Sequence, residues 1–370
     1  MKLTTFNQSR NFAIVLAVGL IVSVPPQSFA DTKIKAKLGL SMTQYFGYAN
    51  NDDTGTGDFS GFDVKQDTEV SFGGDVTLEN GIQVGVEVIL DGNQSDEQIK
   101  DTYLWTEGEF GRFEIGNTDN AAAKMHYAAP DVGFGVNDAD IGDWIVNPTS
   151  GDADSAFSST YLYLGESRGS KISWFSPRIS GVQIGTSYIP EFSANTNSHP
   201  NAKANYNGAI AVGANFVQNF DGGNELALSA GYLTADSPKN TSLALDLEGV
   251  SAGFSLTMGD LTVGGSIANT DGTPEGGTNI ANSLEGRGID LGISYVLDPA
   301  TVSLSYYQGA FEGAVETAGD STNETIMASI NYEIADGISG IASVFHAQFE
   351  DENGSKNEGT AVLAGLSVEF

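Results

Sequence analysis

The chain has 370 residues, with 16 basic against 48 acidic side chains, a formal net charge of −32 and no cysteine. That balance argues against nucleic acid and anionic membrane surfaces as partners, since both need clustered Lys and Arg. Without cysteine there is no disulfide staple and no thiol chemistry, so stability must come from a large core or a large closed sheet.

Lys2 and Arg10 form a positive segment, Phe12 to Val24 is an apolar run, and Ser28-Phe29-Ala30 offers small residues for cleavage. This is the pattern of an export signal over residues 1–30. A run of thirteen residues is too short to span a bilayer. From Asp31 onward 14 basic residues remain against 48 acidic ones, a net charge of −34. No later window approaches the run of about 18 apolar residues that a membrane helix needs.

From Lys33 the residues alternate. Ile34, Ala36, Leu38, Leu40 and Met42 oppose Lys35, Lys37, Ser41 and Thr43, which is a strand with one apolar and one polar face. Val70, Phe72, Val76 and Leu78 against Glu69, Ser71, Asp75 and Thr77 repeat it, as do Val84, Val86, Val88 and Leu90 against Gln83, Gly85 and Glu87. There are sixteen such segments in all, at 33–48, 62–79, 82–91, 98–109, 111–118, 170–176, 181–190, 206–219, 224–234, 243–258, 261–270, 286–297, 300–311, 323–334, 337–349 and 359–370.

Every second connection is short and carries a tight-turn signal, such as Asn80-Gly81, Asp221-Gly222-Gly223 or Asp336-Gly337, which supplies the positive φ of a two-residue hairpin. The alternate connections are long and polar. Short turns on one rim and long loops on the other describe an antiparallel up-and-down meander. A twisted sheet of that size closes rather than staying open. Its interior is too wide for side chains to fill, so the apolar faces point outward, toward lipid, in a transmembrane β-barrel over residues 31–370. Rim aromatics are expected at Tyr45, Tyr48, Tyr188, Tyr232, Tyr306 and Phe349 near the long loops, and at Phe110, Trp174, Phe220, Tyr332 and Phe370 near the turns.

One connection, 119–169, breaks the pattern for about fifty residues. A structureless loop beyond about 15 residues is usually functional or disordered. Tyr127, Phe134, Trp144, Phe157, Tyr161 and Tyr163 within it need a surface to pack on. Between them stand Asp131, Asp138, Asp140, Asp143, Asp152 and Asp154.

The last strand, Val362 to Phe370, alternates and stops on an aromatic residue, with Phe370, Val368, Leu366 and Ala364 on one face. It resembles the terminal signal by which outer-membrane barrels are recognised, which implies the barrel-assembly machinery and outer-membrane lipid as partners. The stretches Gln66 to Phe72, Leu78 to Gly81, Val84 to Glu87 and Glu109 to Asn117 are similar to Gram-negative porins, above all the alphaproteobacterial general-diffusion type. That resemblance implies a sixteen-stranded barrel in the outer membrane, a homotrimer, and passive diffusion of small hydrophilic solutes and ions. It also implies that the third long connection folds into the barrel as a constriction, and 119–169 is the third in order.

On that reading, selectivity comes from charges at the narrowest level. Lys35, Lys37, Lys65 and Arg112 share the polar strand face, so a basic wall opposite the acidic segment is expected, with a transverse field between them. The plainer reading is that these cations neutralise Asp63, Asp67 and Glu114. With its acidic excess the channel is expected to prefer cations. No cofactor is required. The carboxylates of Asp138, Asp140 and Asp143 suit a hard cation such as Ca²⁺, although the bidentate Glu of an EF-hand is missing. There is no Gly-x-Ser-x-Gly elbow, and His126, His199 and His346 are scattered, so no enzyme is expected. Two rivals remain: a channel selective for a sugar or other small solute along the loop aromatics, and a secreted β-rich surface protein.

Overall fold

The computed structural model describes residues 35–52, 57–92, 98–137, 139–148, 158–163, 169–192, 199–203, 205–238, 246–272, 285–312, 319–351 and 354–370. The export signal, Asp138, Asp152 and Asp154 lie outside the described residues.

Sixteen antiparallel strands close into one barrel in sequence order. They are β1 Lys35–Asn51, β2 Gly61–Thr77, β3 Gln83–Asp91, β4 Ile99–Gly108, β5 Gly111–Asn117, β6 Ser170–Phe175, β7 Val182–Glu191 and β8 Asn207–Phe220. The second half comprises β9 Asn224–Asp236, β10 Leu247–Met258, β11 Leu261–Asp271, β12 Gly286–Val296, β13 Ala300–Glu312, β14 Asp320–Ala335, β15 Ile338–Glu350 and β16 Lys356–Glu369. The seam joins β1 to β16, with Tyr45 opposite Gly365. Just beyond it the Phe370 N–H donates to the Leu40 carbonyl at 2.9 Å. Closure leaves no strand edge unpaired.

All sixteen expected segments are strands, but several run further toward the long-loop rim. β1 continues to Asn51, β14 starts at Asp320 and β16 at Lys356. Those residues are polar on both faces, because beyond the lipid band both faces meet water. The backbone ladder therefore outlasts the hydropathy alternation that announces it.

The two faces separate cleanly. Leu38, Phe46, Phe62, Val64, Ile267, Val362 and Phe370 are exposed, and they share the outer face with Leu291, Leu304 and Ile326. Alternate positions such as Ala49, Ser173, Ala211, Ser305, Thr325 and Met327 are buried on the inner face. An exposed apolar belt of this extent is what a lipid-facing barrel requires and a water-facing one cannot carry. Among the described residues no helix is long and apolar enough to cross a membrane; crossing is left to the strands.

Two expected rim aromatics are corrected. Tyr45 is 8% exposed and Phe349 is 5% exposed, both on the inner face. Their place near the strand ends suggested a rim, but Tyr45 shares its frame with Lys35 and Lys37, not with Leu38 and Met42. Parity outranks position. Tyr48, Tyr232, Phe110, Phe220, Tyr332 and Phe370 are exposed as expected.

Candidate functional site

The described part of 119–169 lies against inner-face residues of successive strands. It opens with α1, Ala121–Lys124, whose N-cap Asn120 accepts from the N–H groups of Ala122 and Ala123 at 2.9 and 3.1 Å. Asn120 is fully buried and also donates to the Leu162 carbonyl at 2.8 Å, tying the start of the segment to its return arm. The Ala121 N–H donates to Ser187 Oγ on β7 at 2.8 Å. Tyr127 N–H then donates to Ser229 on β9, and Val132 N–H to Ser303 on β13. Small hydroxyl side chains on the inner face thus satisfy a loop backbone that would otherwise be buried without partners.

Inner-face glycines let that backbone come close. A Cβ on Gly253 would stand 1.7 Å from the Tyr127 carbonyl oxygen, and one on Gly213 would stand 2.3 Å from that of Ala121. Gly292, facing Pro130, repeats the arrangement on β12. A side chain at any of them would push the segment off the wall.

Further along, Phe134 stacks on Phe345 of β15 with centroids 6.2 Å apart and meets Tyr45 of β1 edge-on at 5.1 Å. These rings join Val136, Ile141, Trp144, Ile145, Met327 and Leu363 in one apolar cluster. Asn51 of β1 fixes the far end, donating to the Trp144 carbonyl and accepting from Val146 N–H, both at 3.0 Å.

The midpoint is polar. Asp290 of β12 is fully buried, accepts from Ser266 Oγ at 2.8 Å and from Ala129 N–H at 3.3 Å, and takes a hydrogen bond from Asn137 Nδ2. Thr160 on the return arm donates its N–H to Asn137 Oδ1 at 2.8 Å and shares a hydrogen bond with Ser266 at 2.6 Å. His126 Nε2 lies 3.2 Å from the same Thr160 hydroxyl. Burial lowers the His126 pKa to about 4, so its ring is neutral at physiological pH.

The expected acidic residues have separate roles. Asp131 accepts from Gly133 N–H at 2.9 Å, and burial raises its pKa against that bond. Asp140 and Asp143 belong to a 3-10 turn, Ala139–Asp143, and both are exposed. Although Asp140 reaches solvent, the enclosing wall and then the carboxylates of Asp143 and Asp67 push its pKa up to about 6, against the pull of Lys100.

The expected basic wall is dispersed. Lys65 is paired in register with Tyr45, forms an ion pair with Asp63 at 2.7 Å, and stands 5.1 Å from the Trp144 ring. Arg112 binds Glu114 at 2.7 Å and Glu107 at 3.2 Å, and lies over Trp105. Glu114 also binds Lys124 of α1, so Arg112 reaches the segment through a shared carboxylate. Lys37 pairs with Asp75 at 2.9 Å. It and the exposed Lys35 stand at the turn end of β1, with Lys37 about 26 Å along the strand from Tyr45 at ~3.3 Å per residue.

Sequence reasoning took the carboxylates of the wall only as counter-ions of the basic residues. Asp67 and Glu69 of β2 share the inner frame of Lys65, and Glu87 and Asp91 of β3 follow in register with Gly73 and Glu69. The signal was present in the polar frame of β2, where acids outnumber bases. Sequence reasoning passed over Asp290, one acid among many until its burial is known. Among the described residues no group of three or more His, Asp or Glu side chains is placed to hold a metal ion. Asp138, one of the three candidate Ca²⁺ ligands, lies outside them.

The Gram-negative porin family model matches residues 15–353. Among solved structures, the chain is similar to the anion-selective porin from Comamonas acidovorans, at 15% identity over 91% of this chain and 100% of that one, with a TM-score of 0.66. It is similar to a trimer form of in-vitro folded OmpT of Vibrio cholerae, at 12% identity over 90% of this chain and 99% of that one, with a TM-score of 0.60. A third is the outer membrane channel DcaP of Acinetobacter baumannii, at 12% identity over 93% and 99% of the two chains, with a TM-score of 0.61. At such identities the likeness is one of fold. A comparison with curated proteins gave no match.

Proposed function

This chain belongs to the Gram-negative porin family and resides in the outer membrane, and on that premise we propose a channel for passive diffusion of small hydrophilic solutes and ions that prefers cations. Segment 119–169 is its inward-folded constriction, and the working unit is a homotrimer. Family and fold point to a channel rather than an enzyme, and the family match removes the secreted surface protein.

The observation that carries the cation preference is the surroundings of Asp140. Its neighbours include the carboxylates of Asp143, Asp67 and Asp91, and the cation Lys100 beside them is itself paired with Glu69. A fixed negative field in a wetted passage raises the local concentration of cations within about one Debye length. Inward folding is supported by the hydrogen bonds from Ala121, Tyr127 and Val132 to inner-face hydroxyls.

Planar-bilayer reversal potentials in a KCl gradient test the reading, set beside a variant lacking residues 130–155. We expect cation preference in the full chain, with larger conductance and weaker selectivity in the deletion. Anion preference, or a deletion with unchanged conductance, would overturn it.

A solute-selective channel is favoured by one feature, the stack of Tyr161 on Tyr163 at 5.7 Å with His126 edge-on to Tyr161 at 4.9 Å. Both tyrosines are partly exposed. Saturable block of the current by a sugar would select that reading.

A further inference from the structure

The inner face at the turn rim holds a cavity of about 390 Å³ between the β4–β5 and β6–β7 turns. Three cations line it, Arg112, Lys124 and Arg178, against two carboxylates, Glu107 and Glu114. Both carboxylates are already taken: Glu114 binds Arg112 and Lys124, and Glu107 binds Arg112. Among the described residues the exposed Arg178 has only neutral acceptors, the Gly181 carbonyl at 2.7 Å, Asn215 Oδ1 at 2.8 Å and Gln183 Oε1 at 3.1 Å. In a chain with a net charge of −32, this cavity carries one surplus positive charge.

The guanidinium is fixed before any ligand arrives. Gln183 Nε2 donates to the Ser176 carbonyl at 2.9 Å, and Asn215 Nδ2 donates to the Met125 carbonyl at 3.4 Å, so both side-chain acceptors are themselves anchored. The bonds use three of the five N–H donors of the arginine and leave two. A clamp on the turn explains the bond to Gly181, but three neutral acceptors leave the charge uncompensated. Phe175 and Pro177 supply an apolar side to the same cavity.

Short turns of outer-membrane barrels face the periplasm, so the cavity stands at the periplasmic mouth. The acidic turn lies at another level: Lys100, the cation beside Asp140, is separated from Glu107 along β4 by about 23 Å at ~3.3 Å per residue. That exceeds a Debye length of about 10 Å, so the two fields do not cancel.

We infer that this cavity binds a small organic carboxylate at the periplasmic mouth. The carboxylate meets the free donors of Arg178 in charge-assisted hydrogen bonds and cancels the surplus charge, while its carbon skeleton lies against Phe175 and Pro177. The volume falls within the roughly 300–1,000 Å³ of small-molecule sites. The inference rests on the channel reading above and adds a solute class and a place where that solute pauses.

The test uses single channels of the full chain in planar bilayers. Sodium benzoate is the probe, with benzamide as its neutral isostere and inorganic phosphate as an anion without an apolar part. Benzoate is expected to raise open-channel noise saturably, and the other two at equal concentration are not. In Arg178→Gln the half-saturating concentration should rise at least about fivefold, the worth of one unit charge at ~4 Å in water. Gln183→Glu places a carboxylate on the guanidinium and should have the same effect without removing it; heat-modifiable migration checks that each variant is a closed barrel. A benzoate response unchanged in either folded variant would overturn the site. An equal response to benzamide or to phosphate would overturn the carboxylate assignment. Conducting channels that ignore benzoate would overturn the inference and leave the channel reading intact, whereas a chain without conductance would overturn both.

Discussion

Asn137 donates from Nδ2 to the buried carboxylate of Asp290, joining segment and wall across 153 residues of sequence. The same carboxylate holds Ala129 N–H and Ser266 Oγ, so Asp290→Ala strands the Ala129 N–H and leaves Asn137 Nδ2 and Ser266 Oγ with Thr160 alone. Each buried donor left without a partner costs about 1–3 kcal/mol, a cost the segment avoids by detaching locally while the barrel ladder stays closed. We expect Asp290→Ala to give noisier single-channel currents and faster proteolysis between residues 126 and 160. Asp290→Asn, which keeps the shape but places an amide against the Asn137 donor, should lie between. Quiet, protease-resistant channels from Asp290→Ala would remove the anchoring role.

The acidic turn predicts a pH dependence of selectivity. The Asp140 pKa is pushed up to about 6, so the side chain is charged at pH 7.5 and mostly neutral at pH 5. One unit charge seen at ~4 Å through water is worth about 1 kcal/mol, near a fivefold change in local cation concentration before screening. Cation preference should therefore weaken as pH falls through 6, and Asp140→Asn should flatten the profile at the low-pH value. Reversal potentials measured from pH 7.5 to 5 in both proteins check this.

The barrel was legible because every strand carries its own period-two signal, and because turn chemistry such as Asn80-Gly81 marks one rim. Closure followed from strand number. The acidic segment was legible as a break in that period, yet its route was not. Gly253 and Ser229 read as ordinary members of polar strand faces, and only the fold reveals that they sit under Tyr127. The charge layout suffered similarly. Lys37 and Lys65 share a face, but a strand is about 3.3 Å per residue, and parity carries no information about height. Which cations meet the segment is a question of level along the barrel, set by strand register.

His126 gives a second pH effect, on anchoring rather than selectivity. Its pKa is about 4 in the folded segment against 6.5 for a free imidazole, so the detached state binds more protons between those values. Anchoring strength is then full above about pH 6.5 and declines as pH falls toward 4, by about 3 kcal/mol at ~1.4 kcal/mol per unit. Open-channel noise should rise over that window. His126→Gln keeps a hydrogen-bonding group near Thr160 without a titrating ring, and should flatten the rise relative to the parent, leaving only the share of buried carboxylates such as Asp131. Parallel acid profiles in the two proteins would rule out His126 as the source.

The close approach at Gly253 supplies a steric test. A Cβ there would fall 1.7 Å from the Tyr127 carbonyl oxygen, far inside contact distance, and the obstacle is backbone, which cannot rotate away. Since Gly253 already has strand geometry in β10, Gly253→Ala leaves the ladder intact, and alanine loses less conformational freedom on folding than glycine. The strain falls chiefly on the segment, with a lesser contact to Ser266 Cβ of β11 at 3.1 Å. The variant should fold and migrate as the parent barrel, while Tyr127 moves off the wall and the conductance changes. Gly253→Val should enlarge the effect through its branched side chain. A Gly253→Ala protein with parental conductance and noise would mean that the segment does not rest on β10 at that point.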